Sequence, residues 1–220
     1  MDMIPITIKR IALIVWLLEN VDKEFSVLQA TKETRVLNYH AIYNALRDLA
    51  VGGYLRRTKT RRYRVANAPA LVNEITLALP FRLKTMIGFF LGGDMLEKMQ
   101  HLTSMKIDLV FTLFSGAELL SPYVKTSLVH TYVPQESIEN IKDVVLAFGG
   151  RRAAVGEADT FFLPTQHNFV FNFSRKRGLF NVAPMGILLA DLMSYGGLAQ
   201  EQANRIMKEW LSGRSYNDNV

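Results

Sequence analysis

The alternation of apolar and polar residues over the first 66 positions predicts a small helical module. Residues 7–20 read as a helix that is apolar all round, the pattern of a helix central to a bundle or covered by another subunit. Asp22-Lys23-Glu24 makes a polar turn. Ser26 is placed to cap a short second helix over Val27 to Lys32, and Thr34 to Leu37 forms the next turn. Asn38 is placed to cap a third helix running to about Ala50. In that helix Ile42, Ala45, Leu46, Leu49 and Ala50 follow the i, i+3, i+4, i+7, i+8 spacing and should face a core. Tyr39, His40, Tyr43, Asn44 and Arg47 fall on the opposite face. Gly52-Gly53 ends the helix, because glycine tolerates a left-handed backbone. Tyr54 to Arg57 and Arg62 to Val65 then predict two short strands around a turn at Lys59-Thr60. Three helices followed by a ribbon give the layout of a winged helix-turn-helix.

Pro69 fits the first turn of a connecting helix that ends near Leu79. Residues 1–66 are therefore expected as one domain, 67–80 as a connecting helix or linker, and 81–220 as a second domain. Phe81 to Leu91 looks helical, with Gly92-Gly93 separating it from a helix over Asp94 to Leu102. Ile107 to Leu113 is strand-like, Ser115 to Leu120 a short helix, and Leu128 to Val133 a strand. Gln135 to Phe148 is an amphipathic helix and Thr160 to Leu163 a strand. Phe169, Phe171 and Phe173 alternate with a period of two, which predicts a strand. A turn over Ser174 to Gly178 and a strand over Leu179 to Val182 follow. Pro184 to Tyr195 and Leu198 to Leu211 close the chain as helices. Strands mixed with helices imply an α+β (α/β) fold: an N-terminal winged helix-turn-helix and a mixed α/β sheet domain.

Charge separates the two halves. The chain carries a net charge of +6. Residues 1–66 hold 12 Lys and Arg against 6 Asp and Glu, whereas residues 67–220 hold 14 against 14. The whole excess lies in the first third, and six of its cations fall in the nine residues from Arg56 to Arg64 (Arg56, Arg57, Lys59, Arg61, Arg62, Arg64). A solvated hairpin with no partner would be the plain explanation. Six cations with no acid among them repel one another, however, unless a polyanion neutralises them. Such a cluster attracts phosphates through counterion release. The expected partner is double-stranded DNA, with the exposed face of the third helix offering hydrogen-bonding groups to base edges and phosphates. Arg175-Lys176-Arg177 on an expected hairpin tip, and Arg151-Arg152, read as solvated turns, with a second nucleic-acid or acidic-partner contact as the alternative.

The remaining chemistry is sparse. There is no cysteine, so no disulfide and no thiolate metal site. The four histidines (His40, His101, His130, His167) show no metal-ligand spacing, and no metal or cofactor is expected. The longest apolar run, Ile11 to Leu18, has eight residues, far short of the about 20 that span a bilayer. A cytoplasmic protein without membrane contact is expected. Phe114-Ser115-Gly116 after a strand has a faint likeness to the start of a nucleotidyltransferase motif. That chemistry needs metal-binding carboxylates two apart, and Glu157 with Asp159 is the nearest such pair. A nucleotidyltransferase-like enzyme acting on nucleotides or RNA is thus the alternative function, and no catalytic activity is the expectation. Asp191 interrupts an apolar helix and requires a partner there; Arg205 is the candidate. The apolar first helix and a stripe of Ala199, Ala203, Ile206, Met207 and Trp210 raise a homodimer as a further arrangement.

Several segments together carry a resemblance. Phe25-Ser26-Val27-Leu28, the helix from Asn38 to Ala50, Gly53-Tyr54-Leu55 and the basic segment ending Tyr63-Arg64-Val65 form the generic part. Phe114-Ser115-Gly116-Ala117-Glu118-Leu119-Leu120, Val129 to Pro134, Val182-Ala183-Pro184 leading to Leu188-Leu189-Ala190-Asp191-Leu192, and Gln200-Glu201-Gln202-Ala203 form the more specific part. In these the chain resembles the AbiEi family of type IV toxin–antitoxin antitoxins. The resemblance covers most of the chain; residues 67–105 are not distinctive. It implies an autorepressor that binds operator repeats through a winged helix. It also implies a C-terminal domain that counteracts a nucleotidyltransferase-type toxin.

Overall fold

A computed structural model describes residues 7–105 and 107–213. The chain divides into two compact units, one ending at Ala78 and the other beginning at Leu79.

In the first unit, Thr7 caps helix α1 (Ile8–Glu19) by accepting the Arg10 N–H at 3.3 Å. Every residue from Ile11 to Leu18 is buried, so α1 is covered on all sides within the single chain. Ser26 caps α2 (Val27–Thr34) through the Gln29 N–H at 3.1 Å, and Arg35 ends that helix in a left-handed conformation. Asn38 caps α3 (Tyr39–Val51) through the Ala41 N–H at 2.9 Å. Each cap satisfies a first-turn N–H that has no partner inside its helix. Ile42, Leu46 and Leu49 form the buried stripe of α3, while Ala45 and Ala50 are half-buried. Gly53 (φ 78°) supplies the left-handed step after α3, and the Tyr54 N–H closes it on the Leu49 carbonyl at 2.9 Å.

Strands β1 (Leu55–Arg57) and β2 (Tyr63–Val65) pair antiparallel, and Phe25 adds a bridge on the far side of Tyr63. Helix α4 (Ala68–Ala78) buries Ala68, Leu71, Val72 and Ile75 and packs on α1. The Tyr54 hydroxyl donates to Glu74 Oε1 at 2.5 Å. Residues 68–78, expected as a connection, are therefore the fourth helix of the first unit, and the division falls after them.

The second unit is a mixed seven-stranded sheet in the order β6-β3-β7-β5-β4-β9-β8. Its strands are β3 (Ile87–Phe90), β4 (Val110–Thr112), β5 (Val129–Pro134), β6 (Arg151–Arg152), β7 (Thr160–Thr165), β8 (Arg175–Arg177) and β9 (Phe180–Val182). Its helices are α5 (Met95–Ser104), α6 (Leu113–Glu118), α7 (Ile138–Ala147), α8 (Phe169–Asn172), α9 (Met185–Tyr195) and α10 (Leu198–Leu211). The central pair, β5 and β7, runs parallel over six rungs, from Val129 opposite Thr160 to Pro134 opposite Thr165. β5 is buried from Val129 to Val133, as a strand covered on both faces must be. α9 is buried from Met185 to Leu192 and packs on α10 and α6. The fold class is α+β, with helices and a mixed sheet.

Four sequence expectations are corrected in this unit. Residues 81–91 are not a helix: a short 3-10 turn over Phe81–Leu83 leads into β3. Gly88 explains part of this, since a Cβ there would stand 2.8 Å from the Ala158 side chain and 2.9 Å from the Ala153 carbonyl. The backbone approaches its neighbours too closely for any other residue. Phe169, Phe171 and Phe173 do not alternate across a sheet; the first two lie in the single turn of α8, which buries Phe169 and Val170. Arg175, Lys176 and Arg177 are not the hairpin tip but strand β8 itself; the tip is Gly178-Leu179, with Gly178 at φ 56°. The fourth correction concerns Asp191, whose partners are described with its surroundings.

Candidate nucleic-acid interface

The basic ribbon sits on the register of β1 and β2. Leu55 faces Val65, Arg56 faces Arg64, and Arg57 faces Tyr63. Leu55, Tyr63 and Val65 are buried, and they fix which side of the ribbon meets the core. Arg56, Arg57, Lys59, Arg61 and Arg62 are exposed, and Arg64 is half-buried. Among the described residues none of these six cations forms an ion pair. The hairpin closes through the Thr58 N–H on the Arg62 carbonyl at 2.8 Å and the Arg61 N–H on the Thr58 carbonyl at 3.0 Å. Arg61 takes a left-handed φ of 59°, which costs a non-glycine residue about 1 kcal/mol. Thr58 and Thr60 hydroxyls meet at 2.8 Å across the tip, and Thr60 reaches the Glu24 carboxylate at 3.5 Å.

On α3, Tyr39, His40, Tyr43, Asn44 and Arg47 are all exposed, opposite the stripe of Ile42, Leu46 and Leu49. Tyr39 and His40 meet edge to face at 5.9 Å. Arg47 lies 3.4 Å from Asp48, with both side chains about half in solvent (58% and 41%), so the pair is weak. The helix contributes amide, phenol, imidazole and guanidinium groups, and the ribbon contributes point and forked positive charge. Both sets belong to the first unit.

The charged groups of the second unit are arranged differently. Asp191 is fully buried and accepts from three donors: Lys84, the Tyr132 hydroxyl at 2.7 Å and the Thr112 hydroxyl at 2.6 Å. Arg205, the expected partner, instead pairs with Glu209 at 3.0 Å and lies over the Tyr123 ring. Burial pushes the Tyr132 phenol well above its ordinary pKa, and the Asp191 charge adds to this. Asp159 accepts the N–H groups of Leu91 at 3.0 Å and Gly92 at 2.9 Å, and the Thr160 hydroxyl at 3.0 Å. Burial acts to raise its pKa. Those hydrogen bonds, with Lys98 Nζ 3.3 Å away, outweigh burial and lower it. Lys98 is itself buried and makes no hydrogen bond. Glu157 points to solvent beside Arg151 at 3.5 Å. Glu157 and Asp159 therefore do not share one centre, and among the described residues no three His, Asp or Glu side chains come together. His130 is buried in a cage of Phe81, Phe161 and Tyr195, and burial lowers its pKa to about 4.

Lys84, Tyr132, Thr112 and Lys98 were not singled out by the sequence. Asp191 in an apolar helix was the one visible sign, because a buried carboxylate demands donors. Its donors lie 107, 59 and 79 residues away, beyond the reach of local pattern. Among the described residues no helix is long and apolar enough to cross a membrane. No protein family, curated protein or solved structure matches the chain.

Proposed function

We propose that this protein is a DNA-binding transcriptional regulator of the antitoxin type, with the first unit acting as a winged helix-turn-helix. The observation that carries the reading is the ribbon with six cations, none of them ion-paired among the described residues. Unpaired positive charge on a paired hairpin is available to phosphates without breaking internal bridges. In this reading α3 lies in the major groove, with Tyr39, His40, Tyr43, Asn44 and Arg47 near bases and backbone, and the ribbon grips phosphates beside it. The resemblance to AbiEi antitoxins rests on the motifs and supplies the second part of the proposal. That part assigns the seven-stranded unit to partner binding, with a nucleotidyltransferase-type toxin as the partner.

Fluorescence anisotropy of the full chain against duplex DNA at several salt concentrations tests the first part. Lys59→Ala is expected to weaken binding to every sequence and to flatten the salt slope by about 1. Asn44→Ala is expected to relax sequence preference by about 1–3 kcal/mol at the contacted base. A wild-type chain without affinity for duplex DNA in low salt refutes the reading.

A further inference from the structure

The ribbon's hydrogen-bond phase places three of its arginines together. The Tyr63 N–H donates to the Phe25 carbonyl at 2.8 Å, and the Tyr63 carbonyl accepts the Phe25 N–H at 2.9 Å. The backbone groups of Tyr63 thus point away from β1. Those of its neighbours, Arg62 and Arg64, point toward β1, and the Thr58 N–H indeed donates to the Arg62 carbonyl. Arg56 and Arg64 are therefore a hydrogen-bonded rung, with Cα atoms about 5.5 Å apart. Directly opposed residues project from the same face of a ribbon, and so does a residue two positions along. Arg56, Arg64 and Arg62 share one face. Leu55, Tyr63 and Val65 occupy the other, the side buried in the core, and Arg57 belongs to that second set.

Like charges directly opposed on a rung are destabilising. Here a guanidinium faces a guanidinium, a third stands diagonally beside them, and none is ion-paired among the described residues. A tetrahedral oxyanion resolves that repulsion, because each guanidinium offers a planar fork of N–H donors matched to two phosphate oxygens. We propose that Arg56 and Arg64, with Arg62 beside them, form a clamp for a single phosphodiester group. This deepens the DNA-binding reading and rests on it. Within that reading the six cations are not equivalent. The rung fixes one phosphate by geometry, whereas Arg57, Lys59 and Arg61 act as diffuse charge.

Charge-preserving substitutions separate geometry from charge. The double variant Arg56→Lys with Arg64→Lys keeps the net charge and loses both forks. Anisotropy titrations of the full chain against a 30-base-pair duplex are expected to show about a tenfold loss of affinity, with the salt slope unchanged. Arg57→Lys with Arg61→Lys, equally conservative but off the rung, is expected to stay within about twofold of wild type. Circular dichroism melting checks that each variant is folded. If wild type binds and both double variants lose equal affinity, or neither loses any, the clamp is refuted and the DNA-binding reading stands. If wild type binds no duplex, the reading falls and the clamp falls with it.

Discussion

The two units treat charge in opposite ways. In the first, five of the ribbon's six cations are exposed and, among the described residues, none has a carboxylate partner, while Arg47 pairs with the adjacent, solvent-accessible Asp48. In the second, the decisive charges are inside: Asp191 with Lys84, Tyr132 and Thr112, and Asp159 with Lys98 and the loop N–H groups. A buried charge must be compensated within the fold or the fold fails. An exposed one has no such obligation, and compensation can come from a partner. The lesson is that the buried charges of the second unit report on folding, while the ribbon's cations, in the proposed reading, would report on binding.

The sharpest way to break this contrast is inside the second unit. Asp191→Leu leaves the Lys84 ammonium, only 19% exposed, without its carboxylate. We expect a loss of about 3–5 kcal/mol in urea denaturation followed by circular dichroism. Adding Lys84→Met to Asp191→Leu should recover part of that loss, because the uncompensated charge is gone. If the single variant melts like wild type, the network is not structural. A smaller effect is expected from His130. Its folded pKa, about 4, lies below the ordinary 6.5, so the unfolded state binds the proton first. Stability is unaffected above about pH 6.5, falls as pH drops through the window to about 4, and levels off below it. The difference is on the order of 3 kcal/mol. His130→Leu should remove that acid dependence from a comparison of unfolding midpoints at pH 7 and pH 4.5; parallel pH curves for the two proteins would rule out His130 as the source. The smallest effect lies in the first unit. Asp48→Asn should change stability by less than about 0.5 kcal/mol, since its pair with Arg47 is exposed. It should nevertheless raise affinity for duplex DNA by about twofold at low salt, by removing a negative charge beside the proposed reading helix. Unchanged affinity would place Arg47 outside the interface.

Legibility in the sequence follows the range of the forces involved. Ser26, Asn38 and Gly53 act through neighbours three or four residues away, and the helix ends they mark are where local pattern places them. The buried stripe of Ile42, Leu46 and Leu49 is legible for the same reason. The ribbon's charge is legible as composition, but its division into faces needed the Phe25 bridge, which joins residues 38 apart. Residues 81–91 misled because β3 takes its conformation from β6 and β7 on either side, neither of which is near in sequence. The phenylalanines from 169 to 173 misled because a period of two over five residues also fits one helical turn with Phe169 and Phe173 on one side. Asp191 announced that partners were needed without saying which.

The two rims of the seven-stranded sheet are Arg151-Arg152 and Arg175-Lys176-Arg177. An outermost strand leaves a row of amide and carbonyl groups open to another chain. Here each row carries an exposed cation, Arg152 on one rim and Lys176 on the other, so a second copy approaching rim to rim brings like charges together. Growth of the sheet from molecule to molecule is therefore disfavoured at each end by the charge that a joining strand would have to bury.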